Sequence, residues 1–321
     1  MANFVTLAMH TELKAQKLVL ILKANGIDAF TEEVNQIFPS LTASFRVKID
    51  DADLSKALAI VESMDLENYK ADNSRKVILL PFDYTSTSEK AFPLAFSWAN
   101  AVGAEIEMVN VYHTEETDNR TIINRMIDFD REALRERIER AHSEAKERAE
   151  EFQKTIQKRI EAGELAEAKF KCISFEGVPE EQIIKYSEIL RPEMIIMATR
   201  EKSKKEADMI GSVSAEVAEG APIPVFVVPE NIEFNNVDMV KNIMFITNFD
   251  DRDLIAFAKM MSRLSFKEIG VNLVHFHESG TKDAWDEIKL NGIKSYFAEH
   301  YPTAKPDTAI LDGKNPSKSI R

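Results

Sequence analysis

Four small residues, Gly211-Ser212-Val213-Ser214, are the part of the sequence best suited to bind an anion. They follow the strand-length apolar run 194–197 and a charged loop, and they open a stretch with helical periodicity. The first amides of a helix carry partial positive charge, and glycine lets a phosphate approach the backbone closely. The stretch therefore predicts a strand-loop-helix unit whose helix start would favour an anion.

Asp83 is a second candidate for ligand contact. It follows the near-continuous apolar run 76–82, which is typical of a strand buried on both faces of a parallel sheet. Doubly wound proteins bind ligands beyond the carboxyl ends of such strands, where this carboxylate would lie. The alternative is that Asp83 only caps the following helix, and the sequence leaves both roles open.

Metal and nucleophilic chemistry find little support in the sequence. His275 and His277 are two positions apart on a strand-like segment, which places both on one face, but a third ligand is missing nearby. The residue order of a Ser-His-Asp triad and the Gly-Lys-Ser phosphate loop are both absent from the sequence. We therefore predict neither a metal site nor a catalytic residue.

The composition is that of a soluble, acidic protein. Its 321 residues are 44% hydrophobic, which is enough for cores in two or three domains. The net charge of −13 argues against nucleic acid or an anionic membrane as a partner. Cys172 is the only cysteine, and we expect it to be a buried apolar residue in a reducing compartment. Because no apolar run has membrane-spanning length and the first residues lack a signal-peptide pattern, we expect a cytoplasmic location.

Alternating strand and helix patterns between residues 75 and 230 must position the candidate residues. They predict an α/β fold with a doubly wound five-stranded parallel sheet. One helix is expected over 88–101, and one long helix or two consecutive helices over 120–164. The predicted strands are 76–82, 105–112, 169–174, 194–197 and 225–228.

Two features of this region resemble the universal stress protein family. Gly211-Ser212 opens a helix, and the pattern Pro-X-Pro-Val-X-Val-Val-Pro follows at 222–229. In nucleotide-binding members the signature contains two earlier glycines, at the positions of Ala198 and Glu201 here. The helix half of the phosphate site is thus kept, while a methyl group and a carboxylate replace the glycines of the loop half.

The resemblance implies a fold of the adenine-nucleotide-hydrolase type and an adenine nucleotide site. It implies that Asp83 contacts the base or ribose and that the end of the second strand, near Val111, borders the adenine. Because Glu201 would repel a triphosphate, we expect an impaired site and no bound cofactor, with ATP as the candidate ligand. The cofactor-binding residues that we predict are Asp83, Val111, Gly211, Ser212 and Ser214.

The N-terminal segment is predicted to be a small α+β module with the element order βαββα. It resembles a prokaryotic family described only as signal-transducing proteins, and a polar linker is expected at 68–75. We interpret it as a regulatory or interaction module.

The C-terminal segment repeats an earlier pattern. The run from Lys241 to His277 aligns with that from Lys76 to His113, and Asn248 takes the place of Asp83. Since the sequence stops before the last strands of such a repeat, we expect an incomplete second repeat. The predicted domains are 1–67, 75–230 and 240–321.

Three functions are compatible with these observations. The favoured interpretation is a non-enzymatic protein of universal stress type, acting in stress response or signalling through protein interaction. The second is an ATP-binding switch or slow ATPase that uses Asp83 and the helix start from Gly211 to Ser214. The third, an enzyme on the fold of adenine-nucleotide hydrolases and electron-transfer flavoproteins, rests on fold analogy alone. We expect a homodimer through the strand 225–228 and unknown protein partners, with neither nucleic acid nor a membrane as a partner.

Overall fold

The computed structural model describes residues 4–34, 44–62, 75–112, 131–200, 211–247, 251–277 and 284–312. The chain divides into two compact units, Met1–Phe234 and Asn235–Arg321. The first unit contains the N-terminal module together with the five-stranded domain. The second contains the candidate repeat.

The N-terminal module is an antiparallel sheet with two helices on one face. Its elements are β1 (Phe4–Thr11), α1 (Glu12–Ala24), β2 (Ala29–Val34), β3 (Ser44–Asp50) and α2 (Leu54–Glu62), in the predicted order βαββα. The strand order in the sheet is β1-β3-β2. Leu18 and Leu22 of α1 are fully buried in one cluster with Val47 and Ile49 of β3 and Ala57 of α2.

The central domain has a five-stranded parallel sheet, which confirms the predicted α/β fold. Its strands are β4 (Val77–Pro81), β5 (Glu105–Tyr112), β6 (Phe170–Glu176), β7 (Met194–Thr199) and β8 (Val225–Pro229). They lie in the order β6-β5-β4-β7-β8. Every residue of β4 is buried, which accounts for its continuous apolar sequence. Because β5 and β7 flank β4 on opposite sides, the chain changes direction across the sheet at β4, where doubly wound folds form a ligand crevice.

The helices of this domain differ from the prediction at one place. They are α3 (Ser86–Glu89), α4 (Phe92–Val102), α5 (Arg131–Glu161), α6 (Pro179–Leu190) and α7 (Ser212–Gly220). The expectation of a single helix over 88–101 is wrong, because Pro93 in the first turn of α4 has no N–H to continue a helix from α3. The long segment 120–164 contains one helix, α5, and its residues 120–130 lie outside the described ranges.

The N-terminal module covers the β6 edge of the five-stranded sheet. Leu20 and Ile21 of α1 belong to the same buried cluster as Tyr186 of α6. The ammonium group of Lys171 on β6 donates to the carbonyl oxygen of Ala24 at 3.2 Å. Because α1 contributes both to the module's own core and to that of the domain, the two parts form a single compact unit.

The second unit is a smaller parallel sheet with two helices. Its elements are β9 (Asn242–Ile246), α8 (Asp251–Leu264), β10 (Ile269–His277), α9 (Ala284–His300) and β11 (Ala304–Asp312). The strand order β11-β10-β9 has the same sense as β6-β5-β4. Phe257 of α8 stacks on Phe297 of α9 with ring centroids 3.6 Å apart and packs against Phe245 of β9. Within the described ranges, no helix of the chain is long and apolar enough to cross a membrane.

Candidate functional site

A cavity of about 320 Å³ lies beyond the carboxyl ends of β4, β5 and β7. It opens at the point where the strand order changes direction, as expected for this topology. All the predicted cofactor-binding residues line it, namely Asp83, Val111, Gly211, Ser212 and Ser214. The structure thus brings together five residues that are spread over 132 positions of sequence, from 83 to 214.

Asp83 is held at the cavity by the turn that starts α3. The backbone N–H and the hydroxyl of Thr85 both donate to its Oδ1, at 3.1 and 2.5 Å. The backbone N–H of Asp83 donates to the hydroxyl of Ser88 at 3.4 Å. Thr85, and not Asp83, is the N-cap residue, since its side chain accepts from the N–H of Ser88. Asp83 therefore fixes the turn and still presents an exposed carboxylate to the cavity.

The charge of Asp83 is favoured by its surroundings. Partial burial alone would raise the pKa of this carboxyl group, but hydrogen bonds from Thr85 and Ser88 and the positive charge of Arg200 outweigh it, and the pKa is lowered. The group is therefore a carboxylate at neutral pH. It can accept hydrogen bonds from ligand hydroxyl or amine groups and repels ligand anions close to it.

The start of α7 is bonded to the end of β7. The backbone N–H of Gly211 donates to Oγ1 of Thr199 at 2.8 Å, and the hydroxyl of Ser214 donates to the carbonyl oxygen of Ala198 at 3.1 Å. Thr199 and Ser214 are almost fully buried, whereas Ser212 is exposed. Two groups that the resemblance assigns to phosphate binding therefore already have partners within the chain.

The remaining wall of the cavity is largely apolar. Val109 is buried toward the end of β5 and Met197 toward the end of β7. Val111, two residues beyond Val109, is half-buried. Ile183 of α6 closes the same side. Such a wall suits the faces of a planar apolar or aromatic group, while the polar groups lie at the α3 and α7 sides.

Thr199 and Arg200 are among the lining residues that the sequence did not predict as site residues. The relevant signal was available, because both follow the apolar run 194–197 and so fall at the same edge of the sheet as Asp83. Ala198 lines the cavity, and Glu201 lies outside the described residues.

A second polar cluster joins the N-terminal module to the domain beside this cavity. Nε2 of His142, on α5, lies 3.0 Å from Oδ2 of Asp28, and Nδ1 lies 2.9 Å from the hydroxyl of Tyr112 at the end of β5. An ionised Asp28 can only accept, so Nε2 carries the proton and Tyr112 donates to Nδ1. Lys23 donates to the carbonyl oxygen of Ser174 in the same cluster. Lys23, Asp28 and His142 were not singled out from the sequence, because the contacts of this cluster cross between module and domain.

The titration of this cluster follows from its burial. Desolvation lowers the pKa of His142 although the hydrogen bond and charge of Asp28 act in the opposite direction. Burial alone would raise the pKa of Asp28, but the hydrogen bond with His142 and the charge of Lys23 lower it well below its ordinary range. Burial lowers the pKa of Lys23 and raises that of Tyr112. His142 is therefore neutral and Asp28 ionised at neutral pH.

In the second unit, Asn248 is the residue that aligns with Asp83 in sequence, and it lies outside the described residues. Nδ1 of His275 lies 2.8 Å from the carbonyl oxygen of Thr247, so this ring nitrogen has a protein partner. Across the described ranges, His, Cys, Asp and Glu residues form no group of three or more arranged to hold a metal ion. Cys172 is half-buried and not fully buried as expected, and desolvation raises the pKa of its thiol to about 12, so the thiol is protonated at neutral pH.

Comparison with known proteins relates the domain that carries the cavity to one family. Residues 74–229 match the Universal stress protein family. The universal stress protein MJ0577 of Methanocaldococcus jannaschii is 28% identical over 155 residues, which are 48% of this chain and 94% of that protein.

Solved structures of universal stress proteins are similar to this chain as well. One from Archaeoglobus fulgidus has 24% identity and a TM-score of 0.50, covering 76% of this chain and 80% of its own. Another from the same organism, solved in complex with dAMP, has 16% identity and a TM-score of 0.31, covering 48% of this chain and 97% of its own. The part of this chain that the family model matches, residues 74–229, is the domain that carries the cavity.

Proposed function

We propose that this protein is a non-enzymatic, universal-stress-type protein that acts in stress response or signalling through protein interaction, and that its nucleotide site is impaired on the phosphate side. One observation carries the proposal. The N–H of Gly211 and the hydroxyl of Ser214 bond to the end of β7, so a phosphate would have to displace contacts that the protein already makes.

The nucleoside side of the cavity is better preserved. Asp83 is ionised and fixed by Thr85, and Val109 and Val111 provide an apolar wall. A volume of about 320 Å³ lies at the lower end of small-molecule sites, which span about 300 to 1,000 Å³. The ligand class that fits is a nucleoside or nucleoside monophosphate, and a triphosphate tail would extend toward the α7 side.

An ATP-binding switch or slow ATPase is the second candidate function. It is favoured by Arg200, whose positive charge acts on Asp83 at the cavity, and by the exposed position of Ser212. These groups would contact phosphates if the start of α7 released its bonds to β7. The two candidates differ in whether phosphates add affinity and whether ATP is turned over.

The flanking parts belong to the same proposal. The N-terminal module is a regulatory or interaction module, because its core is continuous with that of the domain and its cluster at Asp28 reaches the end of β5. The second unit is a second repeat of the same pattern, supported by the shared strand order of the two sheets. A cytoplasmic location fits a regulator of this kind.

A homodimer through β8 is also part of the proposal. β8 is the outer strand of the five-stranded sheet. The N–H of Glu230 donates to the carbonyl of Thr199 on β7, and backbone groups alternate along a strand, so those of Val225 and Val227 face outward. An outer strand with free backbone groups of this kind is expected to pair with another chain. The partner that we propose for β8 is a second copy of this protein.

Calorimetry with adenosine, AMP and ATP tests the proposed site. We expect adenosine to bind and ATP to bind no more than about tenfold more tightly, since its phosphates add at most about 1.4 kcal/mol. Asp83→Asn should weaken adenosine binding by about 1 to 2 kcal/mol. Asp238→Asn, at an exposed site in the second unit, is the matched control. Tight ATP binding with phosphate release would favour the ATPase, and absence of binding by all three ligands would refute a nucleotide site.

A further inference from the structure

A second cavity, which we call the junction cavity, lies where the N-terminal module meets the central domain. Its volume is about 180 Å³. The module contributes Lys23 and residues 26–28 to its lining, and the domain contributes residues of α5 and β6. None of its described lining residues belongs to the cavity at Asp83. The junction cavity is therefore a separate place at which a ligand could contact both parts of the first unit.

The ammonium group of Lys23 is the buried charge of the junction cavity. The residue is 5% exposed, and an ammonium group can donate three hydrogen bonds. Among the described residues, one acceptor is bonded to it, the carbonyl oxygen of Ser174. Oδ1 of Asp28 lies 3.8 Å away, which is too far for a hydrogen bond, and the ring centroid of Phe175 lies 5.1 Å away. At least one N–H of Lys23 therefore remains for a ligand.

The carboxylates of the protein compensate Lys23 incompletely. Asp28 is shared, because its Oδ2 lies 3.0 Å from Nε2 of His142 and 3.6 Å from the ammonium nitrogen of Lys146. Desolvation lowers the pKa of Lys23 although the charges of Asp28 and Glu176 act in the opposite direction. A ligand anion beside Lys23 would reduce the free-energy cost of burying this charge.

Two further charged groups of the lining leave this shortage of negative charge in place. Lys171 pairs with the buried carboxylate of Glu107, with nitrogen and oxygen 3.0 Å apart. Glu150 is exposed, so water and salt screen its charge. The lining thus combines a buried ammonium group with a second one, that of Lys146, at the solvent side.

The rest of the wall is largely apolar. Ile27 and Ala149 are buried, and Ile173 is half-buried. Gly26, with φ +74°, ends α1 in the left-handed conformation, and the N–H of Ile27 then bonds back to the carbonyl of Leu22 at 2.9 Å. The volume is below the about 300 Å³ at which sites for drug-sized molecules begin, so the ligand that fits has few carbon atoms.

We propose that the junction cavity binds a short-chain carboxylate. The carboxylate group accepts hydrogen bonds from the ammonium groups of Lys23 and Lys146, and the hydrocarbon chain contacts Ile27, Ala149 and Ile173. An inorganic oxyanion such as phosphate would satisfy the ammonium groups and leave the apolar wall without a partner, so the apolar wall favours the organic acid.

This proposal goes beyond the nucleotide site and does not depend on it. A bound carboxylate contacts the module and the domain at once, so it would stabilise the docking of one on the other. The measurements below use no nucleotide, and their failure would leave the proposed function untouched.

Methyl NMR of the full chain tests the site with butyrate as the probe. The isoleucine δ1 methyl groups carry the isotope label, and the variants Ile27→Val and Ile173→Val assign the two resonances. We expect butyrate to shift both resonances in a saturable way. Butyramide, its uncharged counterpart, should leave them unchanged at the same concentrations. Absence of a saturable shift with butyrate, or equal shifts with butyramide, would overturn the proposal.

Lysine variants test which groups bind the charge. Lys23→Met removes the ammonium group, keeps the length of the side chain, and should weaken butyrate binding at least about tenfold. Lys146→Met, at the exposed side, should weaken it up to about fivefold. Lys154→Met is the matched control, since Lys154 is exposed on the same helix outside the lining, and should leave the affinity unchanged.

Circular dichroism verifies folding of each variant. A folded Lys23→Met protein that binds butyrate like the parent would overturn the proposal. If Lys23→Met does not fold, Lys146→Met decides, and an unchanged affinity in that variant would have the same consequence.

Acetate and phosphate distinguish an organic acid from an inorganic oxyanion. Butyrate should bind about tenfold more tightly than acetate, because two further methylene groups are buried on the apolar wall. Phosphate should bind more weakly than butyrate. Phosphate binding that equals or exceeds that of butyrate would show a site for an inorganic oxyanion and would overturn the assignment to a carboxylate.

Discussion

The hydroxyl oxygen of Tyr112 lies 2.9 Å from Nδ1 of His142, and this contact connects the end of β5 beside the cavity with the N-terminal module. Tyr112 directly follows Val111, which lines the cavity. The other ring nitrogen of His142 bonds to Asp28 of the module at 3.0 Å. A structural change at Asp28 of the N-terminal module can therefore be transmitted to the end of β5 through the buried imidazole ring of His142.

The titration of His142 should make folding stability sensitive to mild acid. Its pKa is lowered by burial in the folded protein, so the unfolded chain takes up a proton at higher pH. The free energy of unfolding should therefore fall as pH drops below about 6.5, the ordinary histidine pKa, with a slope of at most about 1.4 kcal/mol per pH unit. Asp28 adds no pH dependence to the stability in this range. Its pKa is lowered, so it stays ionised and bonded to His142 until the pH is much more acidic.

Urea unfolding of the parent and of His142→Gln checks this effect between about pH 7.5 and 5.5. Glutamine can donate to Asp28 and accept from Tyr112 without titrating. The parent should lose about 1 kcal/mol more than the variant over this interval, while the other histidines contribute equally to both. Equal losses would mean that His142 is not the titrating group.

The β8 edge gives a prediction about assembly. Val227→Pro should weaken self-association by about 1 to 2 kcal/mol, because it removes an outward-facing N–H and leaves the bonds to β7 in place. Val227→Ala removes most of the side chain but keeps the N–H, and it should associate like its parent. Sedimentation equilibrium measures both. The β8 dimer is wrong if Val227→Pro has no effect in a correctly folded protein.

The sequence was sufficient to predict the fold where local pattern and burial agree. β4 is apolar throughout because all its residues are buried, and the helix start at Gly211 follows from small residues after a charged loop. Those features also located the cavity, since ligand crevices lie at fixed places in this topology.

Contacts between distant segments were not predictable in the same way. His142 lies on a charge-rich helix whose sequence suggests a solvated face, yet it is 2% exposed because the N-terminal module covers it. The bonds from Gly211 to Thr199 and from Ser214 to Ala198 depend on how closely α7 approaches β7. The sequence pattern does not determine how closely α7 approaches β7. These two hydrogen bonds were therefore found only in the structure.

The loop before α7 supports a prediction about charge that comes from the resemblance. If the carboxylate of Glu201 lies roughly 6 Å from a phosphate, an effective dielectric near 20 gives about 3 kcal/mol per charge pair, reduced by solvent to about 1.5 to 3 kcal/mol. The double variant Ala198→Gly with Glu201→Gly should therefore bind ATP about ten- to a hundredfold more tightly. The backbone carbonyl of residue 198 remains to accept from Ser214.

Calorimetry with ATP on parent and double variant decides this point, and adenosine is the control ligand because it lacks phosphates. Adenosine affinity should stay nearly constant. If the parent already binds ATP tightly, Glu201 does not oppose the phosphates. If the folded double variant gains nothing, the loop is not the deciding defect.

The last prediction tests whether the protein's own hydrogen bonds compete with phosphate. Thr199→Val keeps the shape of the side chain but removes the oxygen that accepts from the N–H of Gly211. Without ligand, this part-buried N–H loses its partner, so the free energy of unfolding should fall by about 1 to 3 kcal/mol. With a phosphate present, the same N–H can bond to a charged acceptor, which is worth about 1.5 to 3 kcal/mol.

The expected result is a rise in the ratio of ATP to adenosine affinity by about ten- to a hundredfold in Thr199→Val. Thr199→Ser keeps the accepting hydroxyl and should retain the ratio of the parent. Calorimetry gives the affinities, and thermal unfolding with and without ATP shows whether the ligand restores the lost stability. A destabilised Thr199→Val protein whose ratio is unchanged would show that the start of α7 is not directed at a ligand phosphate, and the impairment would then have to lie in the loop alone.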